Sequence, residues 1–166
     1  MSALQDDMRE YQMQLQKGAI QKAYQGLMDY MMRLKAHFKL TFPDYTVSGS
    51  LYFGYMDMTY FSVVPEPLKE LDLKIAVVFL HEAFRFEAWL SGRNKQVLAQ
   101  YWERVNATEW PNYRVVSPGK GIDSILEYVL VENPDFDDLD TLTKEIEDKT
   151  HAFIADVEAL LLASDA

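Results

Sequence analysis

The sequence predicts an α+β fold: an antiparallel sheet of four to five strands with long N-terminal and C-terminal helices packed on it. Three observations lead there. Between Tyr45 and Gly92 lie four apolar, aromatic-rich runs, TVSGSLYF, DMTYFSVV, KIAVVFLH and AFRFEAWL. The last of these alternates, with Phe84, Phe86, Ala88 and Leu90 on one side and Arg85, Glu87 and Trp89 on the other. That is the period of a half-buried strand. The flanking segments carry three- and four-residue helical steps instead, and short connections between consecutive strands require antiparallel pairing.

The elements follow in order. Residues 4–40 read as one amphipathic helix, with Leu4, Met8, Tyr11, Leu15, Ala19, Leu27, Met31, Leu34 and Phe38 in its stripe. Ser2 and Gln5 form a weak capping box at its start. Gly18 and Gly26 interrupt the pattern, each costing roughly 1 kcal/mol against alanine, and mark a kink, a break into two helices or the close passage of another backbone. Pro43 ends the helix. Strands are expected at about 46–53, 57–64, 74–81 and 83–90, with one helical turn in the connection PEPLKELDL. The junction His81-Glu82-Ala83 is read as a tight hairpin, because one strand from Lys74 to Leu90 would far exceed the usual ~5–6 residues. A helix over 94–107, a strand over 113–116, a helix over 122–131 and a last helix over 138–163 complete the chain. Asp135, Asp137 and Asp138 complement the dipole of that last helix. With no repeat and no Gly- or Ser-rich linker, 1–166 reads as a single domain.

Composition narrows the function classes. The chain has 166 residues, no cysteine and a net charge of −10. Residues 133–166 carry ten acids and two bases, while the remainder is nearly neutral and holds no dense basic cluster. An acidic surface of that kind argues against nucleic acid as a partner. No apolar run approaches the ~20 residues needed to cross a bilayer, and the polar start MSALQDDMREYQ is not a targeting peptide, so no membrane role is expected and the cytoplasm is the expected compartment. Lack of cysteine removes disulfides, thiol nucleophiles and thiolate metal sites.

Arg85, Glu87 and Trp89 share one strand face by parity, and a meander would bring Tyr52, Tyr55, Asp57, Thr59 and His81 near them. Such a group offers an imidazole, two carboxylates, a guanidinium and aromatic walls, the ingredients of a ligand pocket. The candidate ligand-binding residues are therefore Tyr52, Tyr55, Asp57, His81, Arg85, Glu87 and Trp89. The plainer alternative is an outer sheet face held by a cross-strand Arg–Glu pair, since alternation alone generates such a row.

Other motifs carry less. His37, His81 and His151 lack the i, i+4 spacing of a helical zinc site, so no metal is assigned; a carboxylate Mg²⁺ site leaves little trace in a sequence. Asp57 followed by Glu87 has the outline of a PD-(D/E)xK nuclease core, but Trp89 stands where the lysine belongs. The turn Ser117-Pro118-Gly119-Lys120-Gly121 before an expected helix can bind an anion, yet it lacks the Walker spacing. No G-x-S-x-G elbow is present. The cluster Tyr24, Met28, Tyr30, Met31 and Met32, and the run Ala159 to Ala163, suit either a doubly covered core or an adaptable partner surface.

The runs VSGSLYFGYMDMTYF, KIAVVFLHEAFRFEAWLSGRNKQV and SILEYVLVENPDFDDLDTLT resemble a family of uncharacterised bacterial proteins carrying a domain of unknown function, over about Leu15 to Leu160. The resemblance implies a small bacterial cytoplasmic protein and brings no catalytic residue, cofactor or substrate. The expected function is a non-enzymatic binding or protein-interaction module, with a homo-oligomer, a small molecule or another protein as partner and no cofactor. The alternative is an enzyme or small-ligand receptor with a pocket near His81, Arg85, Glu87 and Trp89.

Overall fold

The computed structural model describes residues 3–163. Its elements are the helices α1 (Leu4–Lys17), α2 (Ala19–Thr41), α3 (Glu66–Lys69), α4 (Lys95–Asn106) and α5 (Leu139–Ala163), and the strands β1 (Tyr45–Val47), β2 (Met58–Pro65), β3 (Leu73–Leu80), β4 (Arg85–Gly92), β5 (Arg114–Val115) and β6 (Leu126–Glu132). The chain divides into two compact units, residues 1–36 and 37–166, with α2 running from one into the other.

In the first unit, the helix expected over 4–40 is two helices. Gly18 adopts φ 82°, a left-handed conformation that closes α1 with its N–H on the Leu15 carbonyl, and α2 restarts at Ala19. Glycine takes this conformation without the Cβ clash that other residues meet. The cap expected at Ser2 lies outside the described residues, and Ala3 precedes α1 without a side-chain cap. No residue of α1 is buried.

The second unit is built on a six-stranded antiparallel sheet of order β1-β2-β3-β4-β6-β5, larger than the four to five strands expected. The added strand is β6. The segment expected as a helix over 122–131 is extended from Leu126, because its Tyr128, Val129 and Val131 favour a pleated surface and β4 offers a free edge to pair with. The strand expected over 46–53 shortens to β1; beyond it Tyr52 makes one isolated bridge to Tyr60. The hairpin between β3 and β4 forms with Leu80 opposite Arg85, so the strand expected from residue 83 begins at Arg85. Phe84 belongs to the turn, at φ 54°, with its N–H on the Leu80 carbonyl.

Register sorts the strands into two faces. Phe61, Val77, Ala88 and Tyr128 form one row, and Thr59, Phe79, Phe86 and Val131 another. These side chains face the core. Helix α5 covers this face, with Phe153 5.0 Å from Tyr113 and 6.1 Å from Tyr128. Phe38 packs on Phe61 at 5.8 Å, and Phe136 meets both Phe79 and Phe86. Arg104 of α4 donates to the carbonyls of Leu160 and Leu161, satisfying acceptors at the end of α5 that have no partner within the helix. A bulge in β6 shifts the register between Phe86 and Glu87, so that Leu130 and Val131 both turn to the core.

Candidate functional site

The other face of the sheet is polar. Its rows are Met58, Leu80, Arg85 and Glu132; Tyr60, Val78, Glu87 and Val129; and Ser62, Ala76, Trp89, Glu127 and Arg114. The parity expected of Arg85, Glu87 and Trp89 is thus realised. Glu87 is fully buried, although it is a carboxylate. Such a charge costs several kcal/mol in the interior unless it is paired and hydrogen-bonded. Both of its oxygens are occupied. Arg85 Nε donates to Oε2 at 2.5 Å, and the Trp89 indole Nε1 donates to Oε1 at 2.9 Å. Arg85 also reaches Glu132 at 3.5 Å. One strand further, Glu127 accepts from Ser124 and Arg114. The result is a row of alternating charges that fixes side chains across β4, β6 and β5.

A cavity of about 250 Å³ opens beside Trp89. Tyr60 and Trp89 supply aromatic walls, and Lys74, Arg93, Lys95 and Asp123 supply the charged groups. The local sequence explains the placement. At Gly92 the helix α4 comes so near that an added Cβ would stand 3.2 Å from Val97 and 3.3 Å from Leu98. Asn94 caps α4, its side chain accepting from the Val97 N–H at 2.9 Å. Lys95 then donates to the Gly119 carbonyl at 2.8 Å, and Ser91 donates to the Asp123 carbonyl at 2.6 Å, which together draw the 117–123 loop along this border. That loop was expected to precede a helix, whose N-terminus could have bound an anion; it leads into β6 instead, which leaves the plainer reading as a turn. Burial, followed by the phenol of Tyr52 and the carboxylate of Asp123, holds the Tyr60 hydroxyl above its ordinary range.

Of the other candidate residues, Tyr52 joins this face, its ring stacked on Tyr60 at 4.8 Å. His81 does not. It follows Leu80, so it points to the core side, where its Nε2 lies 2.9 Å from Thr59 Oγ1 and its ring meets Phe79 edge-on. Burial lowers its pKa, opposed by the nearby Asp57. Asp57 serves the loop: its Oδ1 accepts from the N–H groups of Tyr55 and Met58, and these bonds hold its carboxyl below the usual range. Its carbonyl accepts from the His81 N–H, and Thr59 also donates to Phe53. This cluster clips the 52–57 loop to the hairpin tip. Tyr55 is 95% exposed and joins this cluster through its backbone N–H on Asp57. Asp57 and Glu87 therefore belong to separate surroundings, which removes the nuclease outline.

Trp89 is the one candidate residue in the lining; the aromatic and charged cavity residues missing from the expected set are Tyr60, Lys74, Arg93, Lys95 and Asp123. A signal existed for two of them. Tyr60 alternates with core residues in DMTYFSVV, and Lys74 opens an otherwise apolar strand. A family model for a domain of unknown function, DUF7000, matches residues 4–161. The chain belongs to this family. No curated protein and no solved structure matches it.

Elsewhere in this DUF7000 chain the polar groups are tied into structure. His37 pairs with Glu147 at 2.6 Å, and Glu147 also accepts from Lys144. His151 stacks on Phe42 at 5.3 Å. Tyr113 donates to Asp156 at 2.5 Å, and burial together with that carboxylate raises its phenol well above the usual range. Among the described residues no cluster of three histidines or carboxylates could hold a metal ion, and no helix is long and apolar enough to cross a membrane.

Proposed function

We propose that the protein is a non-enzymatic binding module whose ligand site is the cavity beside Trp89 on the polar sheet face. The observation that carries this reading is the fixed orientation of Trp89. A buried carboxylate is retained at position 87, and one of its oxygens is spent on the indole that walls the cavity. Preset walls reduce the ordering cost of binding. Catalysis has less support. Each Glu87 oxygen already accepts a hydrogen bond and the residue does not line the cavity, and His81, the imidazole expected beside it, sits on the core side. Work in the bacterial cytoplasm belongs to the same proposal and follows from the resemblance of the motifs.

The test is a thermal-shift screen of metabolites on the wild type, Trp89→Ala and Tyr60→Ala. A ligand that binds only the folded state raises its melting temperature. Hits that vanish in both variants support the cavity, whereas hits that persist in both place binding elsewhere.

A second reading, self-association, is favoured by α1. Leu4, Met8, Tyr11 and Leu15 follow a 4-3-4 spacing, and the first three are 75%, 48% and 56% exposed. The occupant that fits is a second copy, antiparallel, because the helix is acidic at its start (Asp6, Asp7) and basic at its end (Lys17). Light scattering on the wild type and on Met8→Glu/Tyr11→Glu decides it. A dimer that the substitutions dissociate is expected, and a monomeric wild type at high concentration would refute it.

A further inference from the structure

We infer that the cavity beside Trp89 takes a flat ring bearing an anionic group, a carboxylate or a phosphate. This rests on the reading of the cavity as a ligand site and names the class of ligand. Its charge is opposite to that of the molecule. The protein carries −10, yet the lining of this cavity holds Lys74, Arg93 and Lys95 against Asp123 alone.

Those cations are poorly neutralised. Among the described residues no carboxylate lies within ion-pair distance of Lys74 or Lys95; the bond from Lys95 goes to an uncharged carbonyl. Arg93 reaches Asp72 only at 3.8 Å, with both side chains half-exposed or more. Three like charges around one cavity repel one another, and an anion placed among them relieves that repulsion.

The shape supplies the other half. Trp89 is an amphipathic plate whose π face favours offset stacking on another ring, and Tyr60, held on its other side by the stacked Tyr52, adds a second aromatic wall. A volume of about 250 Å³ lies just below the roughly 300–1,000 Å³ of most small-molecule sites, which limits the ring system to about one or two fused rings.

Calorimetric titration of the full chain with indole-3-acetate, indole-3-acetamide and tryptamine keeps the ring constant and varies its charge. The acid is expected to bind at least about tenfold more tightly than the amide, with the amine weakest. Raising the salt should erode that preference, because exposed charges are screened. The double variant Lys74→Gln/Arg93→Gln should bring the acid down to the affinity of the amide and leave the amide unchanged. An amide that binds as tightly as the acid, and loses its binding in Trp89→Ala, would overturn the anionic class while the cavity reading survives. Absence of binding by all three probes, or heats that do not change in Trp89→Ala, would overturn the class and the cavity together. Tyr60→Ala removes the other aromatic wall and replaces Trp89→Ala if the latter fails to fold.

Discussion

Trp89 donates its indole N–H to Glu87, two residues earlier on the same strand face, at 2.9 Å. The acceptor is fully buried and the donor borders a cavity. Neighbours at i and i+2 of a strand point the same way, so one carboxylate can hold a guanidinium on one side and an indole on the other. The charge that Arg85 balances is what makes Glu87 tolerable there; the orientation of Trp89 is what it achieves.

Glu87→Ala should destabilise the fold by about 2–3 kcal/mol, since it removes the acceptor of a part-buried indole donor and leaves Arg85 with its distant partner Glu132. Glu87→Gln keeps an acceptor for the indole and should cost about 1 kcal/mol. Urea denaturation measures both. Equal costs for the two would show that the charge, and not the acceptor, matters.

The His81 site should make stability pH-dependent. Its folded pKa is lowered, chiefly by burial, so the unfolded chain binds the proton more readily. Stability from this group is complete above the unfolded value near 6.5 and declines as the pH falls below it, until the folded value is passed. His81→Asn should flatten that part of a melting-temperature profile. A decline that survives the substitution belongs to other groups.

Two glycines should respond in opposite senses to alanine. At Gly18 φ is 82°, and Gly18→Ala should cost about 1–2 kcal/mol of helix-junction stability although nothing crowds the new methyl. Gly26 lies inside α2 with no atom within 4 Å of an added Cβ, so Gly26→Ala should stabilise by up to about 1 kcal/mol. Thermal melts followed by circular dichroism distinguish them.

Thr150 has a buried hydroxyl without a hydrogen-bond partner among the described residues. Thr150→Val keeps the shape and removes the unsatisfied group, so it should be neutral or stabilise by about 1–2 kcal/mol. A clear loss would mean that a water or an alternative rotamer satisfies the hydroxyl.

Much of the sheet was legible because β2 alternates in burial, β4 alternates in sequence and β3 is a short continuous apolar run, and register then follows from turns. β6 was not legible as a strand. Ile125, Leu126, Val129 and Leu130 satisfy a helical period as well as an extended one, and the choice was made by the vacant edge of β4, a tertiary fact. Of the candidate trio, the shared strand face of Arg85, Glu87 and Trp89 was legible by parity, but only Trp89 lines the cavity, and the cavity's charged border was illegible. Whether His81 joined them depended on the length of the hairpin loop. Four residues, 81–84, place Leu80 opposite Arg85 and send His81 to the other face; a loop of odd length would have reversed that. Arg93 and Lys95 reach the cavity through the approach of α4 at Gly92, which no strand period encodes.

The margins of the sheet are short. β1 has three residues and β5 has two, and each is laid over a longer strand. Ser48 and Tyr52 extend the cover along β2, while Lys149 occupies the Leu130 carbonyl on the outer side of β6. Little backbone is left for another chain to add a strand, so these margins resist edge-to-edge aggregation. An incoming strand would find only two- and three-residue margins to pair with, too few ladder bonds to hold it.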